Sequence, residues 1–97
     1  MEYDVAIIGT GPAGLQAAIH AARKKVSVVV LGKVANSAMT GTHVENYFGI
    51  PGTKDGDAIL ADGIAQAKAF GCTFVEYNVT AAEDLGGRFL KIGRAHV

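Results

Sequence analysis

Gly9, Gly11 and Gly14 stand at the spacing G-x-G-x-x-G directly after the apolar run Val5-Ala-Ile-Ile8. Glycines so spaced can hold a pyrophosphate. Gly9 would permit a sharp turn, Gly11 would let the backbone approach the phosphates, and Gly14 would let the following helix pack closely on the sheet. Pro12 suits the first turn of that helix, where its missing N–H costs nothing. Thr10 and Ala13 fill the positions between, and the orphan N–H groups at the helix start would face the ligand. A glycine turn of this spacing also occurs for purely structural reasons. Here a buried-strand pattern precedes it and a helical pattern follows at once, so the stretch implies a dinucleotide-binding site.

The ribose end of such a site usually carries an Asp or Glu roughly 20 residues past the glycines. This chain has no acidic residue between Asp4 and Glu45, and its second apolar run ends in Leu31-Gly32-Lys33. Two arrangements are open. Backbone and loop atoms could hold the ribose, with Gly32 allowing close approach, or Lys33 could pair with the 2′-phosphate of NADP.

The elements that must position these residues follow from periodicity. Residues 3–8 read as a strand covered on both faces. Residues 12–24 read as a helix with Leu15, Ala18, Ile19 and Ala22 on one side, closed by Arg23, Lys24 and Lys25 where the helix dipole favours cations. Val26–Leu31 is a second β-branched run. A polar, Gly-rich loop over 32–56 is long for a compact domain, and long loops of this kind tend to be functional. Residues 57–70 read as a second helix with Leu60, Ile64, Ala67 and Phe70 apolar and Gly71 just past its end. Residues 73–76 supply a third strand, and 79–85 and 88–92 a hairpin around Gly86-Gly87. The fold class is α/β: a Rossmann-like nucleotide-binding fold with an incomplete parallel sheet of three core strands and the start of a β-meander.

The chain has 97 residues, enough for a single domain. Nine basic and nine acidic residues cancel, which gives no indication of nucleic acid or an anionic membrane as partner. No apolar run is long enough to span a bilayer, and no secretory signal pattern is visible. Cys72 is the single cysteine, so neither an internal disulfide nor a C-x-x-C pair can form within the chain. The expected compartment is the cytoplasm. The ending Ile92-Gly-Arg-Ala-His-Val97 matches the translation of ATC GGA AGA GCA CAC GTC, part of a widely used sequencing adapter whose next codon is a stop. The expectation is a nucleotide-binding region over 1–90 and a non-native tail over 91–97, with the natural protein continuing beyond it.

Residues 1–90 resemble the N-terminal flavin domain of thioredoxin reductase-like flavoproteins. The resemblance rests on Asp4-Val-Ala-Ile-Ile-Gly-Thr-Gly-Pro-Ala-Gly14, on Ala17-Ala-Ile-His-Ala-Ala-Arg23 and, most specifically, on Val44-Glu-Asn-Tyr-Phe-Gly49. It implies FAD as cofactor, with Gly9, Thr10, Gly11, Pro12, Ala13 and Gly14 at its pyrophosphate. Leu31, Gly32 and Lys33 fall in the adenosine-ribose region, Asn46 near the flavin, and Val79 where backbone meets the adenine. One departure stands out: the family's Gly-Gly-Gln-Leu-like segment is replaced by Ala35-Asn-Ser-Ala-Met39, so either Asn36 or Ser37 substitutes for a glutamine at the flavin ring or the flavin environment differs. The resemblance further implies a homodimeric oxidoreductase that passes electrons from NAD(P)H, bound on a domain outside this chain, through FAD to a disulfide or similar acceptor. The chain alone would then be inactive. An NADP-binding Rossmann oxidoreductase and a non-enzymatic nucleotide sensor are the competing readings.

Other reactive side chains have plainer explanations. His20 lies on a helix seam, and His43 abuts the Val44–Gly49 segment. Cys72 precedes a strand and should behave as a small hydrophobe. Asp55 and Asp57 are placed to cap the second helix, and Tyr47 and Phe48 suit either core packing or a flavin face.

Overall fold

The structure is a computed structural model that describes residues 2–34, 37 and 39–87, together with the backbone of 89–95. Its elements in chain order are β1 (Val5–Ile8), α1 (Pro12–Ala22), β2 (Val28–Leu31), β3 (His43–Val44), β4 (Lys54–Asp55), α2 (Gly56–Ala69), β5 (Thr73–Val75), β6 (Tyr77–Asp84) and β7 (Phe89–Ala95). β1, β2 and β5 form one parallel sheet in the order β1-β2-β5. The register sets Ile8 opposite Leu31 and Leu31 opposite Val75, so the carboxyl ends of all three strands finish level.

One core cluster lies on a single side of this sheet. Ala18, Ile19 and Ala22 of α1 and Ala67 of α2 pack with Val28, Val30 and Cys72, and Val5, Ile7 and Phe74 complete the cluster. These strand residues share a face because side chains alternate along each strand. β2 has a strand on either side and is buried throughout. β1 is not, contrary to the expectation of cover on both faces: Val5 and Ile7 turn inward, while Ala6 and Ile8 are exposed. β1 is hydrogen-bonded along only one edge, and its outer face has no helix against it among the described residues.

A reciprocal clamp holds the start of β1 to β2. Asp4 N–H donates to Ser27 Oγ at 2.8 Å, and Ser27 N–H and Oγ–H donate to the Asp4 carboxylate at 2.9 and 3.1 Å. The Ser27 amide bond holds the Asp4 carboxyl below its ordinary value, with the hydroxyl bond adding to the effect.

Element ends differ modestly from the periodicity. α1 stops at Ala22 because Lys24 and Lys25 N–H groups turn back to Ala21 and Ala22 carbonyls, and Lys25 adopts φ +62°. Phe70 follows the last turn of α2 and is largely exposed, so it lies off the apolar face assigned to it. The loop over 32–56 holds its own small antiparallel ladder, β3 with β4. Asp55 occupies the N-cap position of α2 but does not cap it. Its carboxylate instead meets His43 Nδ1 across the ladder at 2.8 Å, while Asp57 accepts the Gly41 N–H at 3.3 Å.

The hairpin is longer than its sequence pattern. β6 starts at Tyr77, pairs antiparallel with β7, and shifts register between Val79 and Ala81. β7 runs through Ile92 to Ala95, within the segment read as a tail; its pairing there is between backbones. Asn36, His96 and Val97 lie outside the described residues.

Candidate nucleotide-binding site

The site forms where the three parallel strands end, the place where open α/β sheets bind ligands. Gly9 N–H donates to Leu31 O at 2.8 Å, extending the ladder one residue past β1. Gly9 then takes φ +113°, which turns the chain away from the sheet and is strained for any residue with a side chain. Gly11 is the N-cap of α1. It offers no side-chain cap, Pro12 follows it, and no acidic residue lies in the first turn. The N-terminus of α1 is thus left with its partial positive charge and no competing carboxylate.

Gly14 and Gly32 fix the depth of the cleft from behind. A methyl group on Gly14 would sit 2.6 Å from the Gly9 carbonyl oxygen. Helix and glycine turn are therefore as close as backbone allows. Gly32, just beyond β2, has φ +149°, and a Cβ there would lie 3.3 Å from Thr10 Cγ2 and 3.5 Å from Gly9 Cα. Its N–H donates to Val75 O at 3.3 Å, tying the end of β2 to the end of β5. Thr10 is buried between the two glycine segments.

The resulting cleft has a volume of about 370 Å³. It is lined by Gly9, Thr10, Gly11 and Pro12 of the glycine turn, by Leu31, Gly32 and Lys33 after β2, by Ser37 and Met39, and by Tyr77, Asn78 and Val79. Eight residues picked out from the sequence therefore converge: Gly9, Thr10, Gly11, Pro12, Leu31, Gly32, Lys33 and Val79. Ala13 is exposed on the first turn of α1, and Gly14 lies behind the cleft as a packing contact. Asn46 is exposed on the β3–β4 loop and is not part of the lining. Among the described residues Lys33 is the one charged side chain of the lining. With no carboxylate at the end of β2, the described lining carries a positive formal charge.

Tyr77 and Asn78 are lining residues that their own types do not announce. The parallel register could have found them, because a strand ending level with Leu31 delivers the next residues to the same edge. Ser37, weighed for the flavin ring, instead faces the glycine turn: its Oγ is 3.5 Å from where a Gly11 Cβ would be.

Other candidates fall elsewhere. Cys72 is buried, its Sγ–H donates to Ala18 O at 3.5 Å, and burial pushes its thiol pKa up. That environment opposes the thiolate needed for redox chemistry. Tyr47 lines a second, smaller cavity of about 200 Å³ between α1 and α2, with Leu15, Ile50 and Leu60. Phe48 is 87% exposed and packs in no core. His20 is exposed, and His43 is engaged with Asp55.

Comparison with known proteins agrees with this geometry. Residues 3–81 match the family model described as pyridine nucleotide-disulphide oxidoreductase. A thioredoxin reductase of Aquifex aeolicus (strain VF5) is 45% identical over 83 residues, which is 84% of this chain and 26% of that protein. The solved thioredoxin reductase of Gloeobacter violaceus superposes with a TM-score of 0.88 at 31% identity, covering 94% of this chain and 29% of that one. For the Lactococcus lactis thioredoxin reductase in its FR conformation, the TM-score is 0.86 at 32% identity, covering 95% of this chain and 31% of that one. The chain therefore spans between a quarter and a third of the length of these relatives. The matched stretch runs from β1 through the glycine turn to β6, and on that ground this chain belongs to the pyridine nucleotide-disulphide oxidoreductase family, with the thioredoxin reductase form of its nucleotide-binding fold.

Proposed function

We propose that this chain binds the adenosine and pyrophosphate end of FAD, and that the protein it belongs to passes electrons from NAD(P)H through FAD to a disulfide or similar acceptor. The observation that carries the first half is the uncapped, acid-free N-terminus of α1 behind a glycine turn that opens into a cleft. Backbone N–H groups of the first turn bind the pyrophosphate, as helix N-termini bind anions generally. Gly32 brings the end of β2 close to the ribose, and the backbone near Val79 meets the adenine. Lys33 adds positive charge at the ribose end. A volume of about 370 Å³ is at the low end of the roughly 300–1,000 Å³ usual for ligand sites, so the cleft suits one part of a dinucleotide.

Bound FAD supplies two-electron chemistry that no side chain here provides; the protein orients and tunes it. Asn46 and the Val44–Gly49 loop are assigned to the flavin end on family resemblance. The same reading makes the working enzyme a cytoplasmic homodimer, and among the described residues no helix is long and apolar enough to cross a membrane.

Titration of the chain with FAD, followed by flavin fluorescence and by ³¹P NMR, tests the cleft. Binding should disappear in Gly11→Val, whose side chain would occupy the approach to the phosphates. Equal FAD binding by wild type and Gly11→Val, or tight NADP binding that excludes FAD, would refute the reading.

A further inference from the structure

We propose that the hydroxyl of Ser37 is a phosphate ligand, set beside Gly11 in the cleft. The proposal rests on the nucleotide reading of the cleft given above. Ser37 is half-buried and lines the cleft, and its Oγ hangs over Gly11, 3.5 Å from the space a Cβ would take. The gap on that side of Gly11 is therefore bounded by a hydroxyl rather than by an apolar group.

The hydroxyl is held there by a compact turn. Val34 O accepts both Ser37 N–H and Thr40 Oγ1–H at 2.9 Å, and Ser37 O accepts Thr40 N–H at 3.1 Å. Ser37 Oγ accepts the Met39 N–H at 3.3 Å. That bond uses an oxygen lone pair and leaves the O–H proton unused by any neighbour among the described residues. A proton donated from Ser37 beside Gly11 would act together with the N–H groups of the first helical turn in holding a phosphate. Hydrogen bonds to charged acceptors are stronger than neutral ones. The position also explains how a chain with serine in this segment keeps a polar contact to the ligand: the contact is to phosphate and not to a ring.

The test is isothermal titration of the 97-residue chain with ADP and, separately, with adenosine, for wild type, Ser37→Ala, Ser37→Thr and Ser37→Asp. Ser37→Ala should weaken ADP about tenfold, the size expected for one bond to a charged group, and leave adenosine unchanged. Ser37→Thr should retain ADP affinity. Ser37→Asp keeps an acceptor for Met39 N–H but places a carboxylate beside the phosphate, so it should lose more ADP affinity than alanine does. If Ser37→Ala binds ADP as wild type does, or loses ADP and adenosine equally, the phosphate role is wrong while the cleft reading stands. Wild type that binds neither ligand overturns both.

Discussion

Gly14→Ala tests whether the glycine turn and α1 are packed at the backbone limit. The added methyl would lie 2.6 Å from Gly9 O and 3.3 Å from Ile7 Cγ2. Gly9 O is a backbone atom, so moving it aside would disturb the turn whose Gly9 N–H is bonded to Leu31 O at 2.8 Å. Alanine gains about 1 kcal/mol in helix propensity. Overpacking costs about 1–3 kcal/mol, and a backbone obstacle places this site at the upper end, leaving a net loss of about 2 kcal/mol. For a domain of this size each kcal/mol is about 4–8 °C in Tm, so the variant should melt about 8–16 °C lower. Gly63→Ala is the control. Its Cβ would meet Leu15 Cδ1 at 3.1 Å, a methyl on a rotatable side chain. Adjusting that rotamer costs about 0.5–1.5 kcal/mol against the same propensity gain, so Tm should stay close to that of wild type. Thermal melts by circular dichroism and urea titrations measure both. If Gly14→Ala melts with the wild type, or Gly63→Ala falls as far as Gly14→Ala, the packing argument fails.

Lys25→Gly should stabilise the chain by about 0.5 kcal/mol, because a left-handed residue costs about 1–2 kcal/mol and glycine gives back about 0.5–1 in backbone entropy; a lower urea midpoint would contradict this. Asp4→Asn should be less stable than wild type at neutral pH. The folded Asp4 carboxyl lies below its ordinary 3.8, so its contribution is full above that value and is lost as pH falls through the lower folded value. The stability difference between the two should therefore shrink with acidification, and one that widens refutes the clamp. Cys72 should react with a thiol reagent only as fast as the chain unfolds, since burial both hides the thiol and raises its pKa; rapid labelling of the native chain would show otherwise.

The parallel sheet was legible because β2 has to be buried on both faces, and Val28-Val-Val-Leu31 can do nothing else. β1 has an equally apolar sequence yet exposes Ile8, since burial of a strand depends on what covers it and not on its own residues. Helix ends were less legible than helices. The Lys25 turn depends on a left-handed backbone that lysine does not advertise, and Asp55 forgoes the capping role its type favours because His43 is opposite it in a two-residue ladder. That ladder is invisible in the sequence, being too short to show alternation.

The same division explains the site. Its phosphate side consists of backbone, and backbone chemistry leaves a mark in sequence only through residues that lack side chains or N–H groups. Gly9, Gly11, Gly14, Gly32 and Pro12 are such residues, and their spacing could be read directly. Its other walls consist of ordinary side chains whose meaning depends on where the chain carries them. Ser37 faces Gly11 because two bonds to Val34 O fold its turn over the cleft, and Tyr77 and Asn78 arrive because β5 ends level with β2. Neither cause lies in the residue concerned. A cleft of this kind announces the ligand's phosphates through its glycines, while the groups that choose among phosphate-bearing ligands stand on the walls that only the fold brings together.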